Sequence, residues 1–227
     1  MRATAPRPTI ISQLLDLALP PRCAGCRTEG AALCARCRPE LSQTRGRRPG
    51  LLLGLPSQVP PPLLQLEWCS PFRGVTRRAI HELKYGGEQR LARPLGVAVA
   101  ERWREAGAGG ELLVPVPVHA HRKRDRGFDQ SVLLTRVAAA ELRLPWAPAL
   151  ERATETVAMH RLDEAGRRRN VAGAFRVRRE LRPAVEGRWI VLVDDVATTG
   201  STLGECAREL LAAGAVGISA VTVARER

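Results

Sequence analysis

One stretch constrains this chain more than any other: Trp189-Ile190-Val191-Leu192-Val193-Asp194-Asp195-Val196-Ala197-Thr198-Thr199-Gly200-Ser201-Thr202. Five apolar residues run without a polar break to Val193, the pattern of a strand buried on both faces of a parallel sheet. Two acids follow at the expected carboxyl end of that strand, then small and hydroxyl side chains around Gly200. Leu203, Cys206, Ala207, Leu210 and Leu211 recur at helical spacing up to Gly214, a natural helix terminator. Thr202 and Glu205 have the spacing of a capping box, which places the helix start at the end of the small-residue loop. A second apolar run at residues 216–224 completes a strand–loop–helix–strand unit, so the fold class is α/β.

The chemistry of this stretch has two halves. Amides at a helix start point outward unpaired, and the helix dipole favours an anion there. Small side chains let a phosphate approach that backbone, and Thr198, Thr199, Ser201 and Thr202 add hydroxyl donors. Asp194 and Asp195 carry the wrong charge for phosphate but suit a ribose diol, which donates to carboxylates, or hydrated Mg²⁺. A phosphorylated sugar satisfies both halves. The competing reading is a solvated acidic turn, which leaves two acids abutting a buried strand unexplained.

Near the amino end, Cys23-Ala24-Gly25-Cys26 and Cys34-Ala35-Arg36-Cys37 are two close pairs separated by seven residues. Four thiolates in that spacing suit a closed, tetrahedral structural zinc site. Two disulfides are the alternative, against which stands the reduced state of cytoplasmic thiols. Such a small element buries too little to fold by itself, so a metal would supply its stability. Cys69 and Cys206 stand apart and read as buried apolar fillers. Residues 45–62, rich in Arg, Gly and Pro, read as a semi-rigid linker. The expected organisation is a zinc-binding element at 1–44, that linker, and a main domain at 63–227.

Within the main domain, helices are expected at about 74–83, 91–106 and 131–144, and a buried strand at 111–118. That strand ends Pro115-Val116-Pro117-Val118-His119 and is followed by a basic loop with Arg122, Lys123, Arg124, Arg126 and Gly127. Strand carboxyl ends line the crevice of open α/β sheets, so this loop should face Asp194 unless it is a plain solvated turn. Lys84, beside Gly86-Gly87, either reaches a phosphate or simply ends its helix. Residues 152–170 carry Arg152, Arg161, Arg167, Arg168 and Arg169 with little apolar periodicity, which suits a lid or a disordered segment. Residues 174–177 and 189–193 are expected to supply the last strands before the cradle.

The formal net charge of +13 makes polyanions plausible partners, although 36 basic residues of which only Lys84 and Lys123 are lysine could also reflect genome base composition. Aromatic residues are only 4%, which argues against an extended base-stacking platform. No stretch approaches a membrane span and no signal peptide is visible, so a cytoplasmic location without membrane insertion is expected.

The acid pair with its Thr-Gly loop resembles the signature of the type I phosphoribosyltransferases, which bind phosphoribosyl pyrophosphate (PRPP). The double CxxC element, Leu83-Lys84-Tyr85, Pro115-Val116-Pro117, the Arg126-Gly127-Phe128-Asp129-Gln130 run and the closing Val223-Ala224-Arg225 narrow the resemblance to the ComF family. These are phosphoribosyltransferase-like proteins linked to natural transformation and the use of imported DNA. The family usually has Asn where Asp129 stands and Gln near Met159-His160.

The resemblance implies a type I phosphoribosyltransferase-like parallel sheet flanked by helices, with a small four-Cys zinc element. It implies that PRPP sits on Asp194, Asp195, Ala197, Thr198, Thr199, Gly200, Ser201 and Thr202. Mg²⁺ and the basic region of Lys84, Pro117, Val118, His119, Arg122, Arg124, Arg126 and Gly127 would hold the pyrophosphate. Arg152, Arg161, Arg167, Arg168 and Arg169 would form a lid or contact DNA. The implied partners are single-stranded DNA and other competence proteins such as a helicase. The alternative role is transfer of ribose 5-phosphate from PRPP to a nucleobase-like acceptor in salvage.

Overall fold

The computed structural model describes residues 20–47, 59–118, 120–152 and 173–226. The leading segment, most of the proline-rich linker, His119, and the 153–170 segment with Arg161, Arg167, Arg168 and Arg169 lie outside the described residues. The described chain forms strands β1 (Gln65–Pro71), β2 (Leu112–Pro115), β3 (Leu150–Arg152), β4 (Phe175–Val177), β5 (Trp189–Ala197) and β6 (Gly217–Arg225). Its helices are α1 (Gly74–Tyr85), α2 (Ala92–Ala106), α3 (Ala120–Arg126), α4 (Gln130–Leu142), α5 (Arg182–Val185) and α6 (Ser201–Ala212). No helix among the described residues is long and apolar enough to cross a membrane.

Four strands form one all-parallel sheet in the order β1-β6-β5-β2. β5 and β6 occupy its centre, which explains their near-continuous apolar runs. Side chains alternate across a strand, so β5 feeds two cores. Ile190 and Leu192 pack with Leu203, Cys206, Ala207 and Leu210 of α6. Val191 and Val193 pack with Ile80 and Leu83 of α1, Leu95 and Val99 of α2, and Leu134 of α4. Close approach of α2 to α4 requires Gly96, where a Cβ would lie 2.6 Å from Val137 Cβ.

Several local expectations change. β2 stops at Pro115, and its last tie to β5 is the Val116 amide donating to the Val193 carbonyl at 3.0 Å. Pro115 and Pro117 cannot donate to a further strand, which suits β2 to the sheet edge. The 174–177 segment does not join the main sheet. As β4 it pairs antiparallel with β3, burying Leu150 and Phe175 in the α6-side core. The basic loop after β2 contains the helix α3, with His121 Nδ1 2.8 Å from Asp125 Oδ2 one turn on. Residues 120–126 hold no Gly or Pro and are rich in good helix formers.

The capping box does not form. Gly200 is the N-cap of α6 at φ +79°, and Thr202 lies inside the helix. Glu205 instead accepts from the Gly173 amide at 2.7 Å and pairs with Arg208, so a tertiary partner outcompetes the local cap. Gly200 has no side chain with which to cap α6, and the Ser201 amide turns instead to the Thr199 hydroxyl.

The four-Cys element is docked rather than tethered. Cys23, Ala24, Leu33, Cys37 and Leu41 belong to the same core as α1 and α2. Arg78 of α1 donates to the carbonyls of Ala24 (3.1 Å) and Gly25 (3.2 Å), and Thr76 donates to the Glu40 carbonyl (3.1 Å). The exit of the element is fixed by Arg102, which donates to the Thr44 carbonyl at 3.0 Å while its guanidinium pairs with buried Glu67.

Candidate functional site

The stagger of the two neighbouring strands opens the site. β2 pairs with β5 only as far as Val193, whereas β5 continues to Ala197 against β6. Asp194 and Asp195 therefore still belong to the strand, with an open flank where β2 has ended. A cleft of about 280 Å³ lies there, lined by Lys84, Pro117, Val118, Gln130, Arg152, Asp194, Asp195, Thr198 and Thr202, with Phe72, Val116, Val196 and Glu226 completing it.

The acids are held differently. Asp195 is buried, and Lys84 Nζ from the last turn of α1 stands 2.6 Å from its Oδ2. Lys84 does more than end its helix: its ammonium forms an ion pair inside the cleft. Asp194 is half-buried, and its Oδ1 accepts from the Asp195 amide (2.8 Å) and from Ser131 Oγ (3.1 Å). Burial and then the neighbouring Asp195 charge push Asp194 from its ordinary 3.8 up to about 8, against the opposing pull of Lys84 and the two hydrogen bonds. Two carboxylates this close do not both ionise easily without a cation or a set of donors between them.

The loop beyond is shaped for an anion. Thr199 Oγ1 and Ser201 Oγ lie 2.7 Å apart, and the Ser201 amide donates to Thr199 Oγ1 at 3.3 Å. A Cβ on Gly200 would sit 2.2 Å from Pro60 Cγ, so the Pro60-Pro61 end of the linker packs under the loop and fixes it. Ala197 faces the core; Thr198 and Thr202 face the cleft.

The basic residues are only partly brought together. Lys84, Pro117, Val118 and Arg152 line the cleft, and Arg152 also stacks over the Phe175 ring at 4.9 Å. Arg124 is exposed on α3, and Gly127 turns the chain at φ +74°. Arg126 lies over the Tyr85 ring at 4.8 Å and donates to Gln130 Oε1 at 2.9 Å, one contact away from the cleft. Sequence reading missed Ser131, which no motif marked and which α4 delivers to Asp194. It also missed the reason for Asp129. Its carboxylate caps α4, accepting from the amides of Ser131 (3.0 Å) and Val132 (3.2 Å).

At the other end, the sulfurs of Cys23, Cys26, Cys34 and Cys37 all lie within 4.8 Å of one another, with Cys23–Cys34 and Cys26–Cys34 at 3.6 Å. Tetrahedral thiolate coordination at about 2.3 Å places sulfurs roughly 3.8 Å apart, so this set fits a metal such as zinc. The four are free thiols rather than two disulfides. Hydrogen bonding to Thr28, then to Cys34, pulls Cys26 down to about 5, toward the thiolate that a metal requires. Cys69 and Cys206 are fully buried apolar fillers, as expected.

A parallel sheet flanked by helices, an acid pair beside a glycine-capped helix start at its carboxyl edge, and a docked four-Cys element define an α/β protein with a cleft and a candidate metal centre. No protein-family model matches the chain. It is 35% identical over 167 residues to DNA utilization protein YhgH of Escherichia coli K12, covering 71% of this chain and 72% of that protein. It is 32% identical over 199 residues to DNA utilization protein YhgH of Salmonella typhimurium (85% and 84%), and 28% identical over 207 residues to competence protein F of Haemophilus influenzae (89% and 90%). The chain belongs to this ComF/YhgH family. Among solved structures, the allosteric regulatory enzyme of purine biosynthesis overlaps 58% of this chain and 26% of its own (TM-score 0.40, 19% identity). Glutamine phosphoribosylpyrophosphate (PRPP) amidotransferase from B. subtilis overlaps 57% and 25% (TM-score 0.39, 22% identity). The chain thus spans about a quarter of each of those proteins.

Proposed function

We propose that the cleft binds PRPP or a related phosphorylated ribose, and that the protein serves the handling of imported single-stranded DNA in the cytoplasm. The observation that carries the first part is the juxtaposition in one cleft of an acid pair and the hydroxyl-bearing start of α6, whose N-cap is a glycine. The amides and hydroxyls of residues 197–202 receive the 5-phosphate, where donors and dipole favour an anion. Asp194 and Asp195 accept from the ribose hydroxyls. Lys84, already in the cleft, moves its charge from Asp195 toward the pyrophosphate, and the basic segments on either side add to it. Mg²⁺ bound with PRPP would supply positive charge between the pyrophosphate and the acids, and the half-buried carboxylate of Asp194 suits such a partner. Zinc on the four cysteines is structural, because four protein ligands leave no open position.

The second part is supported by the relatives' names, DNA utilization protein and competence protein F, together with a net charge of +13. Competence proteins that handle single strands, such as a helicase, are the expected company. Calorimetry of PRPP with Mg²⁺ tests the cleft assignment. The wild-type chain should bind, and the D194N/D195N double variant should lose binding while keeping its circular dichroism spectrum. Unchanged affinity in the variant would refute the assignment.

A further inference from the structure

The helix that delivers Lys84 to the cleft shows a second pattern on its outer face. Val75, Thr76, Ala79, Ile80 and Leu83 bury one side of α1, and Arg73, Arg77, His81 and Tyr85 stand exposed on the other. Arg77, His81 and Tyr85 recur one turn apart and form a stripe about 12 Å long on a rise of about 1.5 Å per residue, and Arg73, the extended N-cap residue, stands at its start. The sole acid of α1, Glu82, is engaged by Arg27 at 3.2 Å and does not cancel the stripe.

The aromatic end is the unusual part. Tyr85, the only tyrosine of the chain, is 65% exposed although large rings are normally covered. Its ring is held in place, with His81 at 4.8 Å between ring centroids and the Arg126 guanidinium at 4.8 Å. An exposed ring held between an imidazole and a guanidinium is the local chemistry that takes an unpaired base and its phosphate. Tyr85 directly follows Lys84, which lines the cleft, so this end of the stripe is one residue along α1 from it. The other end, at Arg73, opens into a groove shared with Pro39, Glu40 and Gln43 of the four-Cys element.

We infer that this outer face of α1, with Arg126, is the track on which the protein holds single-stranded DNA, the bases stacking at Tyr85 and the phosphates following Arg77 and Arg73. The inference deepens the DNA-handling part of the proposed function by naming its surface. It adds a surface that the sequence did not suggest, where Arg152, Arg161, Arg167, Arg168 and Arg169 were the candidates for a lid or DNA contacts. It also gives the docked four-Cys element a purpose, since its contacts with Arg78 and Thr76 hold α1 rigid from the inner side.

The test is fluorescence anisotropy of the full chain with a labelled single-stranded oligonucleotide of mixed sequence, titrated over a series of salt concentrations. Each phosphate contact contributes a slope of about −0.7 in log affinity against log salt. R73Q/R77Q should flatten the wild-type slope by about 1.4, a difference of roughly 7-fold over a fourfold rise in salt. Y85A should weaken binding roughly 5- to 100-fold with little change in slope, and Y85F should restore it, because stacking needs the ring and not the hydroxyl. Duplex of the same sequence, its base faces occupied, should be indifferent to Y85A. Wild-type affinity and slope in both R73Q/R77Q and Y85A would overturn the inference, as would loss on Y85A that Y85F does not repair. PRPP calorimetry on R73Q/R77Q separates the two claims: these residues lie outside the cleft, so failure of PRPP to bind the wild type counts against the cleft and not against the track.

Discussion

Asp194→Asn should make the ligand-free protein more stable while weakening its ligand. In the free protein, burial and the Asp195 charge hold Asp194 protonated up to about pH 8, far above its ordinary 3.8. The unfolded chain releases that proton near pH 4. Between those values the native state binds more protons than the unfolded state, so wild-type stability falls as pH rises through this window. Asparagine cannot ionise, and its side-chain oxygen can still accept from the Asp195 amide and Ser131 Oγ. The gain from D194N is thus absent below about pH 4, grows with pH, and levels off above about pH 8. At about 1.4 kcal/mol per pH unit the full window bounds the gain at about 5–6 kcal/mol. Asp194 is half-buried at an open cleft, and solvent screening reduces this to about 2–3 kcal/mol. For a chain of this size that is roughly 5–10 °C in melting temperature. Scanning calorimetry of wild type and D194N at pH 5 and pH 9 reads it directly. A variant melting at or below wild type at pH 9, or a gain larger at pH 5 than at pH 9, would refute the electrostatic account of the acid pair.

Other expectations follow from the same contacts. Gly200→Ala forces a left-handed φ on alanine and drives its Cβ into Pro60, so it should cost about 2–4 kcal/mol in chemical denaturation and weaken PRPP binding as the loop shifts. Glu67→Ala removes the nearer acid of buried Arg102, leaving it the longer Glu105 pair at 3.6 Å, and should cost about 3–5 kcal/mol in chemical denaturation; E67M/R102M should recover only part of that, because the Thr44 and Arg47 carbonyls lose their donor. Elemental analysis should find about one zinc per chain on the four cysteines. Chelation should raise deuterium uptake across α1 as well as the cysteine segment, because Arg78 and Thr76 bond the element's carbonyls; protection of α1 left unchanged would show the docking contacts to be dispensable. Cys69 and Cys206 should resist alkylation in the folded protein, since burial pushes both thiols well up, and labelling at native pH would contradict their placement.

The strand–acid–loop–helix unit was readable from residues alone because each part is local: a five-residue apolar run, two acids, small side chains, then helical periodicity. The four-Cys spacing was equally plain, since tetrahedral ligation demands close pairs. Local signals failed where a distant partner won. Thr202 and Glu205 looked like a cap, yet Glu205 serves Gly173 and Arg208. The basic run after β2 looked like a loop and is partly the helix α3. Residues 174–177 have strand chemistry, but their partner is β3 and not the main sheet, a choice that periodicity does not encode.

From its sequence, then, the chain settles which groups can do chemistry and that a parallel sheet must carry the acid pair. Composition and spacing act over a turn of helix or a few strand residues, and those interactions are written in order along the chain. Tertiary structure alone decides that β2 ends four residues before β5, opening the cleft, and that α1 brings Lys84 within 2.6 Å of Asp195, 111 positions further along. It also decides that α1 turns an arginine and aromatic stripe outward. Such pairings depend on how helices seat on the two faces of the sheet, where burial of Ile80, Leu83 and Val99 fixes the rotation of each helix and hence which side chains are left to meet a ligand.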